Sequence, residues 1–336
     1  MTAQKNPMQP LYDKLSKAGF KKPLVSKLLP EWWNDEVAST PSGYQGAALR
    51  LAKLFSLRYT SLMDAGPAEF SLAGRCFKRQ RHIDEKSLDQ ASALASLSAR
   101  LTLRAFDRHF EGRTLNAADI RSHLLSRGLP WIDFKALVDY CWELGIPVIF
   151  VPSLPSPKMQ GLALKIDGRP AIVLTSGRKH GYLVFDLAHE LGHIALGHVS
   201  DDAWVIDEKI DAHSKSDSEQ VDIETEANQF ALELLTGNKN TKFTAKIRLN
   251  AEQLAQHSIE YGRTNMIDPM HIALNYAFIQ RVMPVGNSAI TELVRLLGIK
   301  ETDQDTCQST FLRYVDIEGL DDEEGTLRHL IGAAVV

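Results

Sequence analysis

The 336-residue sequence predicts an α+β chain, with a short β-sheet and one histidine-bearing helix set between all-α regions at both ends. Three observations lead there. Apolar residues recur every three or four positions through most of the first 130 residues and again from about residue 241 onward, the helical period. Between these regions, "IPVIFVP", "GLALKIDG" and "RPAIVLTSG" are short β-rich runs, each closed by Pro, Gly or Asp-Gly. They are followed by "FDLAHELGHIALGH", an apolar stretch at helical spacing.

Taken in order, residues 1–66 predict short helices separated by turns, ending in "STPSGYQGAALRLAKLFSL", a turn cluster followed by a strongly periodic helix. Residues 67–130 continue as helix, notably in "LDQASALASLSARLTLRAF". Residues 131–240 hold the helix "FKALVDYCWELG", the sheet, a helix from about His180 to Gly197, a polar loop over 200–218 and a helix stopped by Gly237. "KIDGRPAIVL" predicts a hairpin, because Asp167-Gly168 supplies the positive φ of a tight turn. Residues 241–336 return to helices. A chain this long exceeds the usual span of one hydrophobic core, so several domains are expected.

Composition narrows the class. With 44% hydrophobic and 24% charged residues the chain reads as globular, and no run approaches the roughly 20 apolar residues of a membrane helix. The amino-terminal "MTAQKNPMQPLYDKL" lacks a secretory h-region, so a cytoplasmic location and no membrane partner are expected. Cys76, Cys141 and Cys307 are scattered and odd in number, which fits reduced thiols better than a disulfide framework. Charge is uneven: residues 1–130 carry 20 Lys+Arg against 12 Asp+Glu, and the remainder 18 against 30. A basic front raises DNA as a partner of that region.

The chemistry lies in His189, Glu190 and His193. On a helix, residues four apart share a face, so the two imidazoles can serve one metal ion, and the acid beside the first is placed to act as a general base. An apolar helix carrying His, Glu and His is costly to bury unless the groups are paired or metal-bound. A third ligand must come from elsewhere, since catalytic zinc takes about three protein ligands. His198 does not fit the metzincin spacing, which would require histidine where Val199 stands and glycine where Leu196 stands. On the helix that ends at Gly237, Glu224 shares a face with the stripe Ala227, Phe230, Ala231, Leu234 and Leu235 and is preferred; Glu226 lies on another face and is the alternative.

The stretch "GLALKIDGRPAIVLTSGRKHGYLVFDLAHELGHIALGH" followed by "ETEANQFALELLTG" resembles the ImmA/IrrE family of zinc-dependent metallopeptidases over about residues 130–240, and "IDPMHIALNYA" is similar to a segment of longer members. The resemblance implies one Zn2+ per chain held by His189, His193 and Glu224, with Glu190 as base. It also implies a regulatory endopeptidase that cleaves a helix-turn-helix repressor in a stress, mobile-element or defence switch, with the flanking helices as sensors or docking surfaces. Where members often have "LLMP", this chain has "LLTG", which changes the helix exit but no ligand.

Further candidates complete the reading. Residues 17–65 loosely follow the layout of a repressor-type helix-turn-helix module, although Trp32 and Trp33 fall where a short turn is expected and no base-reading helix stands out. Arg75, Lys78, Arg79 and Arg81 surround Phe77 and are candidates for nucleic-acid contact. His271 and Tyr276 are candidates for stabilising an oxyanion. The rival reading is a DNA-binding regulator or antitoxin-like protein whose peptidase-like domain binds a partner protein.

Overall fold

The computed structural model describes residues 6–30, 32–71, 75–76, 85–152, 154, 159–175, 180–200, 204–208 and 218–332. The amino-terminal part contains α1 (Gln9–Lys17), α2 (Lys22–Leu28), a 3-10 turn (Asp35–Ser39), α3 (Pro41–Leu54), α4 (Tyr59–Met63), strand β1 (Arg75–Cys76) and the long α5 (Glu85–Arg104). α6 (Ala117–Ser126) and α7 (Phe134–Glu143) lead into β2 (Val148–Phe150), β3 (Met159–Ile166) and β4 (Arg169–Leu174). Next come α8 (Tyr182–Ala195), β5 (Trp204–Glu208) and α9 (Ser218–Thr236). The carboxy-terminal part is α10 (Ala251–Asn265), α11 (Pro269–Ile279), α12 (Met283–Leu297), α13 (Asp303–Tyr314), a 3-10 turn (Glu318–Glu323) and α14 (Glu324–Ile331). The chain is α+β, with helical regions flanking a sheet-containing centre.

Local chemistry explains the boundaries. Asn116, Asp133, Asp268 and Thr302 each accept a hydrogen bond from a backbone N–H in the first turn of the helix that follows, meeting donors the helix cannot satisfy itself. Asn250 and Gln253 form a capping box at the start of α10. Gly237, at φ +81°, stops α9 where the sequence predicts. The β3–β4 hairpin turns through Asp167 (φ +49°) and Gly168 (φ +76°), both left-handed as a tight turn of this kind demands.

The sheet runs β1-β5-β3-β4-β2. β3 pairs antiparallel with β4 and β5, while β2 is parallel to β4 and β1 parallel to β5. α8 and α5 both pack against β3 and β4. Accordingly, Ala171, Ile172, Val173 and Leu174 are all fully buried instead of alternating.

Two expectations are corrected here. The region 67–130 is not all-α, because β1 lies within it, and the loop over 200–218 contains β5. A two-residue strand cannot display a period of two. "WVIDE" becomes a strand through its register against β3, with Leu164 opposite Trp204, which no local pattern encodes.

The chain's two ends meet. α14 packs on α2 and α5, Thr326 donates to the Leu28 carbonyl at 2.9 Å, and Arg104 pairs with Glu323. Trp32 is exposed but donates through Nε1 to Asp322 at 2.8 Å, a contact with the carboxy-terminal segment, while Trp33 packs against the main core. One buried apolar cluster extends from Met8 to Ile331, and a second fills α10–α12. Arg121 on α6 joins the two bodies: its guanidinium donates to the carbonyls of Leu234 and Leu235 at the end of α9 and of Asn265 and Met266 at the end of α10. Among the described residues, no helix is long and apolar enough to cross a membrane.

Candidate metal centre

α8 is apolar enough to be buried almost all round, and its polar residues are buried with it: Asp186, His189, Glu190 and His193 are each at most 4% exposed. α9 lies directly on α8. Their close approach depends on small residues, since a Cβ at Gly192 would stand 3.2 Å from the Ala227 carbonyl oxygen and 3.2 Å from the Phe230 ring. That contact brings Glu224, 6% exposed, over the two histidines. Its carboxylate oxygens lie 3.5 Å from His189 Nε2 and 3.8 Å from His193 Nε2. The two Nε2 atoms are 3.0 Å apart.

The partners on the far side of each ring decide what these nitrogens are. Asn228 Oδ1, one turn after Glu224 on α9, lies 3.1 Å from His189 Nδ1, so a proton on Nδ1 finds an acceptor there and leaves Nε2 for a metal. His198 Nε2 lies 3.0 Å from a Glu226 carboxylate oxygen and its Nδ1 lies 3.0 Å from His193 Nδ1, so a chain of polar contacts ends on the far side of the His193 ring. With the proton on Nδ1, each ring would turn an Nε2 lone pair toward Glu224. The two Nε2 atoms and the carboxylate converge in a buried space, where a shared proton or a cation would hold them together. His189, His193 and Glu224 together offer ligand atoms all within 4.8 Å of one another. The donor set of two imidazoles and a carboxylate suits a divalent transition ion.

Glu190, the neighbour of His189, is fully buried against strand β3. A Cβ on Gly161 would stand 2.8 Å from Glu190 Cγ and 2.9 Å from its Cδ, so only glycine at this point of the strand leaves the carboxylate its place. Gly161 and Gly192 are therefore part of the site, on its two sides.

Other sequence candidates fall elsewhere. His198 and Glu226, considered as ligands, form a relay behind His193. His271, on α11, stacks on Phe185 of α8 with ring centroids 5.8 Å apart, and burial pushes its pKa down to about 4, so it is neutral at ordinary pH. Tyr276 is buried in the second apolar cluster, where its hydroxyl accepts from the Leu249 N–H at 3.3 Å. Arg75 is in β1, while Lys78, Arg79 and Arg81 lie outside the described residues. Asn228, His198 and Glu226 are the residues whose orienting part spacing alone did not assign. Asn228 had a visible signal, its position one turn from Glu224 on the same face.

Two outcomes are expected from this geometry. Substituting His198 with Phe keeps a ring in place but removes the relay, and should lower metal affinity about 10- to 100-fold; competition with a chromophoric chelator measures it, and an unchanged affinity would refute the relay. The lowered pKa of His271 has a thermodynamic sign. Below the ordinary value of 6.5 the unfolded chain takes up a proton that the folded chain refuses until about pH 4, so this residue's contribution to stability is full above 6.5 and falls with pH through that window. Denaturant unfolding of wild type and His271→Phe should diverge there by about 1.4 kcal/mol per pH unit; parallel curves would show the ring to be solvated.

Residues 141–239 match the family model of Peptidase M78, the IrrE N-terminal-like domain. Searches of curated proteins and of solved structures give no match. The matched span contains the histidine-bearing α8, strands β2–β5 and α9 up to Gly237. Residues 141–239 of this chain thus carry a domain of the Peptidase M78, IrrE N-terminal-like, type.

Proposed function

We propose that the chain is a zinc-dependent endopeptidase, with Glu190 as general base and His189, His193 and Glu224 as the metal ligands. The observation that carries this is the convergence of one ligand atom each from His189, His193 and Glu224 within 4.8 Å, in a buried space beside the buried Glu190. Zinc held there would lower the pKa of water to about 7 and polarise the scissile carbonyl. Glu190 takes the proton of the attacking water and returns it to the leaving amine, a transfer its burial favours by keeping competing solvent away. Asn228 and His198 hold the imidazoles in the required tautomer. Gly161 leaves the Glu190 carboxylate in place against β3.

A helix-turn-helix repressor as the substrate, in a regulatory switch, is supported by the ImmA/IrrE resemblance. The test uses Glu190→Gln as a substrate trap in the source cell, with mass spectrometry of retained proteins before and after stress. The expected result is a retained repressor that purified, zinc-loaded wild type shortens at one site. Retained proteins that the wild type leaves whole, with rapid hydrolysis of generic short peptides, would replace the regulatory reading with a general peptidase.

A further inference from the structure

Away from the metal centre, a crevice of about 420 Å3 opens where the amino-terminal helices, α5 and the β3–β4 hairpin meet. Arg100 of α5 lines it. Its Nη1 donates to the Lys53 carbonyl at 3.0 Å and its Nη2 reaches Ser56 Oγ at 3.5 Å. A guanidinium has five N–H donors, so these contacts leave most of the fork available. Among the described residues no carboxylate comes within ion-pair distance of it; Asp167, also on the crevice wall, and Glu323 act on it only through space. Burial pulls the Arg100 pKa below its ordinary value, as expected of a cation that has lost water without gaining a counter-ion.

A second observation concerns a neutral group. Ser96, one turn before Arg100 on the same helix, is 4% exposed, lines the same crevice, and its Oγ has no hydrogen-bond partner among the described residues. A buried hydroxyl without a partner costs about 1–3 kcal/mol, which a ligand oxygen would recover. Lys53 adds a second positive charge at the wall, and Leu57 and Leu164 contribute buried apolar surface. The volume is near the low end of small-molecule sites, about 300–1,000 Å3, and too small for a peptide or nucleic-acid strand.

We propose that this crevice binds a small organic anion, its oxyanion head held by Arg100, Ser96 and Lys53 and its apolar body lying on Leu57 and Leu164. The planar fork of arginine suits a phosphate or carboxylate, which it can hold through two parallel hydrogen bonds. The ligand would rest on β3, the strand whose other end carries Gly161 beside Glu190.

The test is thermal unfolding of the full chain titrated with inorganic phosphate, as head-group probe, and phenyl phosphate, as head plus apolar body, at constant ionic strength. The expected result is a saturable rise in Tm for both, with phenyl phosphate half-saturating at about tenfold lower concentration. Arg100→Met should raise the half-saturating concentration at least about tenfold, and Ser96→Ala and Lys53→Met about threefold or more. If Arg100→Met does not fold, the other two variants decide, since neither removes a side-chain bond that holds the fold. A rise that stays linear in concentration, as excluded salts produce, overturns the proposal. So does saturable binding indifferent to all three substitutions, which would place the anion elsewhere, the metal centre included. Peptidase activity enters none of these readouts, so they stand whatever the fate of the Glu190 assignment.

Discussion

Replacing Glu190 by Gln should lower peptide-bond cleavage by at least about 10²–10⁴-fold, the usual contribution of a positioned general base, while metal content stays at one ion per chain. The two halves of that outcome have separate causes. Glutamine has nearly the same volume and fits the same space against Gly161, so the fit of α8 against β3 is kept. It cannot accept a proton at neutral pH. Glu190 is also no member of the group that could hold an ion, so its loss leaves His189, His193 and Glu224 in place. Cleavage by purified zinc-loaded protein, followed by mass spectrometry, measures the first half and elemental analysis the second. Full-rate cleavage by the variant would sink the base assignment; loss of metal would make Glu190 a ligand.

Removing a ligand has a different signature. His193→Ala and Glu224→Ala should purify with less than about a tenth of the wild-type metal, because an open catalytic site has about three protein ligands and cannot spare one. Glu226→Ala should retain metal, its affinity reduced about 10- to 100-fold through the loosened His198 relay. This contrast tests the choice between the two glutamates, and equal loss in Glu224→Ala and Glu226→Ala would reverse it. Metal removal should also cost stability. An ion present at about a thousand times its Kd stabilises the folded chain by about 4 kcal/mol, so chelation should lower Tm by several degrees in the wild type and by almost nothing in His193→Ala.

Much of this was legible in residue order, for a physical reason: helices and tight turns are local. The 3.6-residue period put His189 and His193 on one face and Glu224 on the face of α9 that carries Ala227, and Asp167-Gly168 specified the hairpin, so these features needed only neighbours a few residues away. Features made by distant residues were not legible. β1 is too short to show a pattern, β5 lacks an alternating one, and both exist through pairing, so the region expected to be all-α supplied a strand and the expected loop supplied another. His198 had the wrong spacing for a ligand and became a positioning residue only once α9 brought Glu226 within 3.0 Å of it. Gly161 and Glu190 are 29 positions apart, and their contact depends on the strand lying flat against the helix. The anion crevice is the extreme case. Arg100, Ser96 and Lys53 are ordinary residues of ordinary helices, and the buried charge that distinguishes them arises only where three separate parts of the chain close around it. The sequence alone therefore determined the helices, the hairpin and the metal-binding residue types. The tertiary structure alone decided the polar partners of the histidines and the edges of the sheet, because desolvation and hydrogen bonds between distant parts of the chain have no counterpart in local sequence.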